Sequence, residues 1–239
     1  VYCWGDNTNG QLGNGSKEPS QIPTKVVGID GQASSLSFSG GNACVSLNDG
    51  KVKCWGYNKQ AALGVGDRVE RTTAVLVEGL DSVRSIKVSA SVGCAVVQDG
   101  SVKCWGSNSQ GKLRTADTQT YVLRPSEVSG IAGVKELVLT GNSSHCAVKE
   151  TTGITCWGFR AENGNYGLLG DGEASAPVTN PVTPIGMDGR VVRSISMSTS
   201  GTCVAVDDGA GYCWGMGGSY QNGNGNSGHS FSPTVVGGG

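Results

Sequence analysis

The residues of this 239-residue chain with the most chemical potential are nine cysteines and two histidines. A thiolate can ligate zinc, attack an electrophile or pair into a disulfide, and spacing separates these outcomes. No Cys-x-x-Cys occurs, so neither a zinc ribbon nor a thioredoxin-like redox site is supported. Eight cysteines fall instead into four pairs, each ten positions apart: Cys44 and Cys54, Cys94 and Cys104, Cys146 and Cys156, Cys203 and Cys213. That even spacing predicts disulfides and an oxidising compartment, hence a secreted or cell-surface protein. Cys3 is the ninth cysteine and is expected to stay unpaired or to bond another chain.

Neither histidine makes a base of the usual kind. His145 adjoins Cys146 inside a strand-like run, and His229 lies in a polar loop. No Gly-x-Ser-x-Gly, His-Glu-x-x-His, P-loop or EF-hand pattern is present. Gly223 to Gly228 fits Gly-x-Gly-x-x-Gly literally, but no βαβ pattern surrounds it. Asp49, Asp99 and Asp208 recur at hairpin tips, where turns favour Asp for backbone reasons. The expectation is a non-enzyme without cofactor or metal. Asn14-Gly-Ser16 and Asn142-Ser-Ser144 match the glycosylation sequon, though a chain rich in Asn and Ser also produces such matches by chance. Tyr57, Phe159, Tyr166 and Tyr220 each follow closely on a Cys-Trp-Gly and could form an aromatic rim for a protein or glycan partner. Ordinary loop packing is the alternative.

Charge is balanced, 18 basic against 19 acidic residues, with no Lys/Arg cluster. Nucleic acid and anionic membrane are therefore poor partners to expect. No apolar run approaches the ~20 residues of a membrane span. The 40 glycines lack a three-residue period and suit short strands joined by tight turns. The chain starts without Met, inside a repeat, and reads as a piece of something longer.

The element that must position the cysteines is a hairpin. With Cys44 opposite Cys54, the intervening pairs are Val45–Lys53, Ser46–Val52 and Leu47–Lys51. Asn48, Asp49 and Gly50 remain as a three-residue loop with Gly at the left-handed position. The cysteines then face each other at a non-hydrogen-bonded pair, about 4.5–5 Å apart at Cα, which a disulfide can bridge. The same count serves Cys94–Cys104 and fits Cys146–Cys156 more loosely. This stapled pair is expected as the outer hairpin of its sheet.

The tryptophans of Cys-Trp-Gly units stand at 4, 55, 105, 157 and 214, a period of 50 to 57 residues. Such a period marks a repeat architecture. Each unit is followed by a Gly/Asn-rich loop, such as Asp6 to Gly15 or Tyr57 to Gly66. A Pro-x-x-Val-x-Gly-like segment comes next, then an alternating strand: Leu36–Ser39, Val83–Ser89, Val134–Leu139 and Val192–Met197. Four short strands per ~50 residues, repeated, predict an all-β propeller with apolar residues on both faces of each blade. The tryptophans as a class are expected in the space between blades.

The series Cys-Trp-Gly-x-Asn-x-x-Gly-x-Leu-Gly-x-Gly, Pro-x-x-Val-x-Gly and Asp-Gly-x-Val-x-Cys-Trp-Gly resembles the RCC1 (regulator of chromosome condensation 1) repeat over essentially the whole chain. It looks closest to the cysteine-bearing repeats of secreted and cell-surface proteins. The resemblance implies four-stranded blades and a seven-bladed ring, of which residues 1–239 hold four complete cysteine hairpins and partial repeats at both ends. The strand pair that would carry a partner for Cys3 is then outside the sequence, or Cys3 bonds another molecule. As function the resemblance implies an extracellular structural or interaction scaffold, binding protein or glycan or assembling with itself. Two further readings are a guanine-nucleotide exchange factor for a small GTPase and a proteinaceous inhibitor of the β-lactamase-inhibitor propeller type.

Overall fold

The computed structural model describes residues 1–140, 144–159, 167–173 and 177–237. The chain divides into two compact units, Val1–Ser129 and Gly130–Gly239. The first opens with a two-stranded sheet of β1 (Tyr2–Gly5) and β2 (Ser20–Lys25). Two four-stranded sheets follow. One comprises β3 (Ala33–Ser39), β4 (Asn42–Leu47), β5 (Val52–Gly56) and β6 (Arg71–Leu76). The next comprises β7 (Val83–Val88), β8 (Val92–Val97), β9 (Val102–Ser107) and β10 (Tyr121–Glu127). In the second unit, β11 (Val134–Leu139), β12 (Ser144–Lys149), β13 (Ile154–Phe159) and β14 (Pro177–Val182) form one sheet. The other holds β15 (Val192–Met197), β16 (Gly201–Val206), β17 (Gly211–Gly215) and β18 (Ser230–Val235). Every sheet is an antiparallel meander in chain order, the blade expected from the repeat.

The hairpin count holds residue by residue. Cys44 pairs with Cys54, Val45 with Lys53 and Ser46 with Val52, and the Leu47 amide donates to the Lys51 carbonyl at 2.9 Å. Gly50 closes the turn at φ 81°, a conformation that costs glycine no steric strain. The third hairpin keeps the register although its glycine, Gly153, comes one position later. Disulfides join Cys44–Cys54, Cys94–Cys104, Cys146–Cys156 and Cys203–Cys213, each with Cα atoms 4.1 Å apart. One expectation is corrected: the stapled hairpin is not outermost but forms the two central strands of its sheet. Central strands are covered on both faces, and Cys44, Cys54, Cys94 and Cys104 are fully buried with Val45, Val52, Val96 and Val102.

The glycine of Cys-Trp-Gly is fixed by a bulge. Pairing between the third and fourth strands shifts register between Cys54 and Gly56 and between Cys213 and Gly215. Gly56, Gly106 and Gly215 lie at φ 96°, 107° and 112°, and a Cβ there would collide with the carbonyls of Gly41, Ser91 and Ser200. No other residue type fits that backbone.

Candidate functional site

In a four-stranded meander the first-to-second turn and the third-to-fourth loop share one end of the sheet, and the stapled turn lies at the other. The long Gly/Asn-rich loops therefore gather at one end of each blade, away from the Asp49 and Asp99 tips. Loops on a rigid sheet are where binding residues are most often carried.

These loops are held from inside. Asn58, fully buried, donates from Nδ2 to the carbonyls of Asp67 at 3.0 Å and Val69 at 3.1 Å, and its Oδ1 accepts the Leu63 amide at 3.0 Å. Asn7 does the same with Ser16 (3.0 Å), Glu18 (2.9 Å) and Leu12 (2.9 Å). Asn108 repeats it with Asp117 (2.9 Å), Gln119 (3.2 Å) and Leu113 (3.0 Å). A single carboxamide thus cross-braces a loop of about a dozen residues by satisfying backbone groups that strands do not reach. Its sequence signal is the Asn three positions after each of those tryptophans' cysteine-linked motif, Trp4, Trp55 and Trp105. Reading it as loop composition misses this role.

The tryptophans clamp the loops from the next blade. The Trp55 indole N–H donates to the Gln11 carbonyl at 2.9 Å, Trp105 to Ala62 at 2.8 Å and Trp214 to Leu168 at 2.9 Å. Trp55, Trp105, Trp157 and Trp214 are fully buried. Trp4 departs from the class and is 63% exposed. Opposite each indole stands the glycine of Leu-Gly, Gly13 or Gly64, whose added Cβ would come within 2.8 Å of the Trp55 or 2.7 Å of the Trp105 ring. The degraded third loop places Arg114 at the corresponding position with φ 57°, one of four non-glycine residues at positive φ among the described residues.

The expected site residues fall as follows. Tyr57 is half-buried, its amide donating to the Gly41 carbonyl at 2.9 Å. Phe159 is half-buried at the end of β13. Tyr220 is 62% exposed at φ 61°. Tyr166 lies outside the described residues, as does Asn142. Tyr57 belongs to the first unit and Phe159 and Tyr220 to the second, so each contributes to the loop end of its own blade. Asn14 is half-buried, and its Oδ1 accepts the Ser16 amide and hydroxyl, both at 3.0 Å. His145 is buried, its ring 5.5 Å from that of Trp157, and His229 Nδ1 accepts the Gly217 amide at 3.2 Å. Cys3 is the free cysteine, half-buried, and burial pushes its thiol up from its ordinary value. Hydrogen bonds from the Thr8 hydroxyl, then the Thr8 backbone amide and the Gln11 side-chain amide, hold the nearby Asp6 carboxyl low. Among the described residues no group of three or more His, Cys, Asp and Glu could hold a metal, and no helix is long and apolar enough to cross a membrane.

Residues 1–47 match the family model described as Regulator of chromosome condensation (RCC1) repeat, and residues 83–112 match a second model of that description. The chain carries RCC1 repeats. Its first match carries the Asn7 brace and the Cys-Trp-Gly bulge, and its second carries a complete stapled hairpin. Over 99% of its length the RCC1-repeat chain is 28% identical to the E3 ubiquitin-protein ligase HERC2 of Mus musculus. Over 36% of its length it is 39% identical to the X-linked retinitis pigmentosa GTPase regulator of Canis lupus familiaris. The chain spans 5% and 9% of the length of these relatives. Among solved structures, human WBSCR16 superposes with a TM-score of 0.82 at 19% identity, covering 99% of this chain and 62% of that one. Yeast RCC1 (Prp20), solved with Kap60 bound, superposes with a TM-score of 0.78 at 17% identity, covering 94% and 53%. At such identities the likeness establishes the β-propeller fold alone.

Proposed function

We propose that this RCC1-repeat chain is an extracellular interaction scaffold without catalytic activity, presenting its braced loops to a protein or glycan partner. One observation carries the reading: each four-stranded blade has a disulfide at the same register across its central strands. Cysteines kept in register in every blade are best explained by a compartment where they oxidise. The binding role is supported by the loops, three of which have their backbone fixed by buried Asn side chains, while the loop after Trp214 carries the exposed Tyr220. A structure of the related Prp20 holds Kap60, so the fold takes protein partners in at least one case. Asn14 and Asn142 are the proposed sugar acceptors.

The test is alkylation of the protein from its native source before and after reduction, read by intact mass. Eight cysteines protected until reduction, with added sugar mass, agree with the reading. Eight cysteines alkylated without reduction would remove the extracellular assignment. Nucleotide exchange on a panel of small GTPases would replace the scaffold reading with the exchange-factor one.

A further inference from the structure

The loop between β9 and β10 is built like its two predecessors and differs from them in charge. Asn108 braces it as Asn7 and Asn58 brace theirs, so Arg114 occupies the place of Gly13 and Gly64, six residues after the brace. Those glycines take φ 65° and 69°, and Arg114 takes 57°, a backbone that glycine adopts freely and a side chain strains. The position is pinned from both sides. The Arg114 amide donates to the Gly111 carbonyl at 3.0 Å, and the Arg114 carbonyl accepts the Ser129 amide at 3.1 Å. Leu113, just before it, is fully buried and bonded to Asn108.

The side chain held there is unmatched. Arg114 is half-buried, and its Nε is buried without a hydrogen-bond acceptor. Burial alone pushes the guanidinium down from its ordinary value. Asp117, the one acidic residue between Asn108 and Tyr121, accepts the Gln119 amide at 2.9 Å instead. Other arginines of the chain are matched: Arg71 with Asp67 at 2.6 Å, Arg124 with Glu78 at 2.6 Å and Arg190 with Asp208 at 3.0 Å. Arg68 lies 3.9 Å over the Tyr121 ring. Taking a charge part-way out of water without a partner is unfavourable. A strained residue that its surroundings nevertheless hold in place, with a buried donor unused, points to a ligand that uses it.

We infer that Arg114 is the anchor for a carboxylate of a partner protein, an Asp or Glu side chain received at the loop end of the β7–β10 sheet. The inference rests on the reading of the braced loops as the partner-binding end. Nε and a neighbouring Nη present two parallel N–H donors, and the two oxygens of a carboxylate match both. Because Nε is already out of water, a bond to it is stronger than the same bond in open solvent. The Asn108 brace fixes the backbone beneath, so little ordering is lost on contact. A peptide acid is favoured over an acidic sugar by the surroundings. Residues 106–120 hold no aromatic, and the Tyr121 ring that follows already carries Arg68 on its face, which leaves a sugar nothing to stack on.

The test is an NMR titration of the oxidised full chain that follows the arginine Nε–H resonances. The probes are a decapeptide of glutamate, its glutamine counterpart and sialyllactose. The glutamate peptide is expected to shift the Arg114 Nε–H resonance saturably, with the other two weaker by about ten-fold or more, the discrimination carried by one charge-assisted pair. Variants are compared by anisotropy of the labelled glutamate peptide. Arg114→Lys keeps the charge, loses the paired donors and should weaken binding about ten-fold. Arg114→Gly should weaken it at least as much while raising Tm by about 2–4 °C, because glycine relieves the backbone. Arg193→Lys, at an exposed arginine of β15, should leave affinity unchanged. Equal loss in Arg193→Lys, sialyllactose binding as well as the peptide, or a lower Tm for Arg114→Gly would each overturn the inference. A peptide that shifts other loop resonances and leaves Arg114 in place would also overturn it, while the scaffold reading would stand.

Discussion

Cys-Trp-Gly behaves in two ways in this chain, and the difference is made by neighbours. Trp55, Trp105 and Trp214 each bury a ring and bond their indole N–H to a loop carbonyl. Trp4 has the same flanking residues and remains exposed. Cys3 is likewise the chemical equal of Cys54, but it keeps its thiol. Partial burial disfavours its thiolate, more than the nearby N-terminal charge favours it, so its pKa lies above the ordinary value of 9.0. Thiolate is the reactive form, so alkylation should rise with pH later than it does for a free cysteine. Rates of iodoacetamide labelling between about pH 7 and 10.5, with the other eight cysteines bonded, measure this directly. A profile at or below that of free cysteine would contradict it.

At the scale of the element, the third-to-fourth loop is a folded unit in its own right. Sequence marks it as Gly- and Asn-rich and therefore irregular, which is correct but incomplete. Asn58 is not a turn former on the surface; it is a buried brace with three bonds to backbone groups. Composition cannot separate these roles, because both use the same short amide side chain and only its surroundings differ. Asn58→Ala leaves buried backbone groups unmatched and should cost about 2–4 kcal/mol in urea unfolding, at roughly 1 kcal/mol or more per lost bond. Asn9→Ala, at a half-buried position of the first loop where Nδ2 donates to the Thr8 hydroxyl at 3.4 Å, should cost under about 0.5 kcal/mol. Equal effects at the two positions would refute the brace.

For the whole molecule, stability rests on many similar local contributions. Each disulfide closes a loop of about ten residues and contributes roughly 2–3 kcal/mol by the chain-entropy relation. The four together are on the order of 10 kcal/mol, comparable with the entire stability of an ordinary domain. The reduced, alkylated chain is therefore expected to be largely unfolded at 37 °C, which circular dichroism and proteolysis would show. A reduced chain melting within a few degrees of the oxidised one would mean that burial alone carries the fold. Repeats contact their neighbours above all, as β7 does β3 and β4, so loss of one staple should weaken its own blade and the next most.

What the sequence determined by itself was the local and periodic part. Hairpin register follows from a turn count and a glycine, disulfide pairing from the ten-residue spacing, and blade order from the 50-residue period. These depend on residues close in the chain, where φ/ψ limits and strand alternation leave few choices. The position of each hairpin inside its sheet, the bracing by Asn7, Asn58 and Asn108, and the exposure of Trp4, Leu36 and Phe38 were decided only by tertiary structure. Burial is set by what packs against a residue, and that neighbour comes from another blade some 40 to 50 residues away, as Gln11 does for Trp55 and Ser37 for Val88. Identical motifs therefore carry identical backbones and different surfaces.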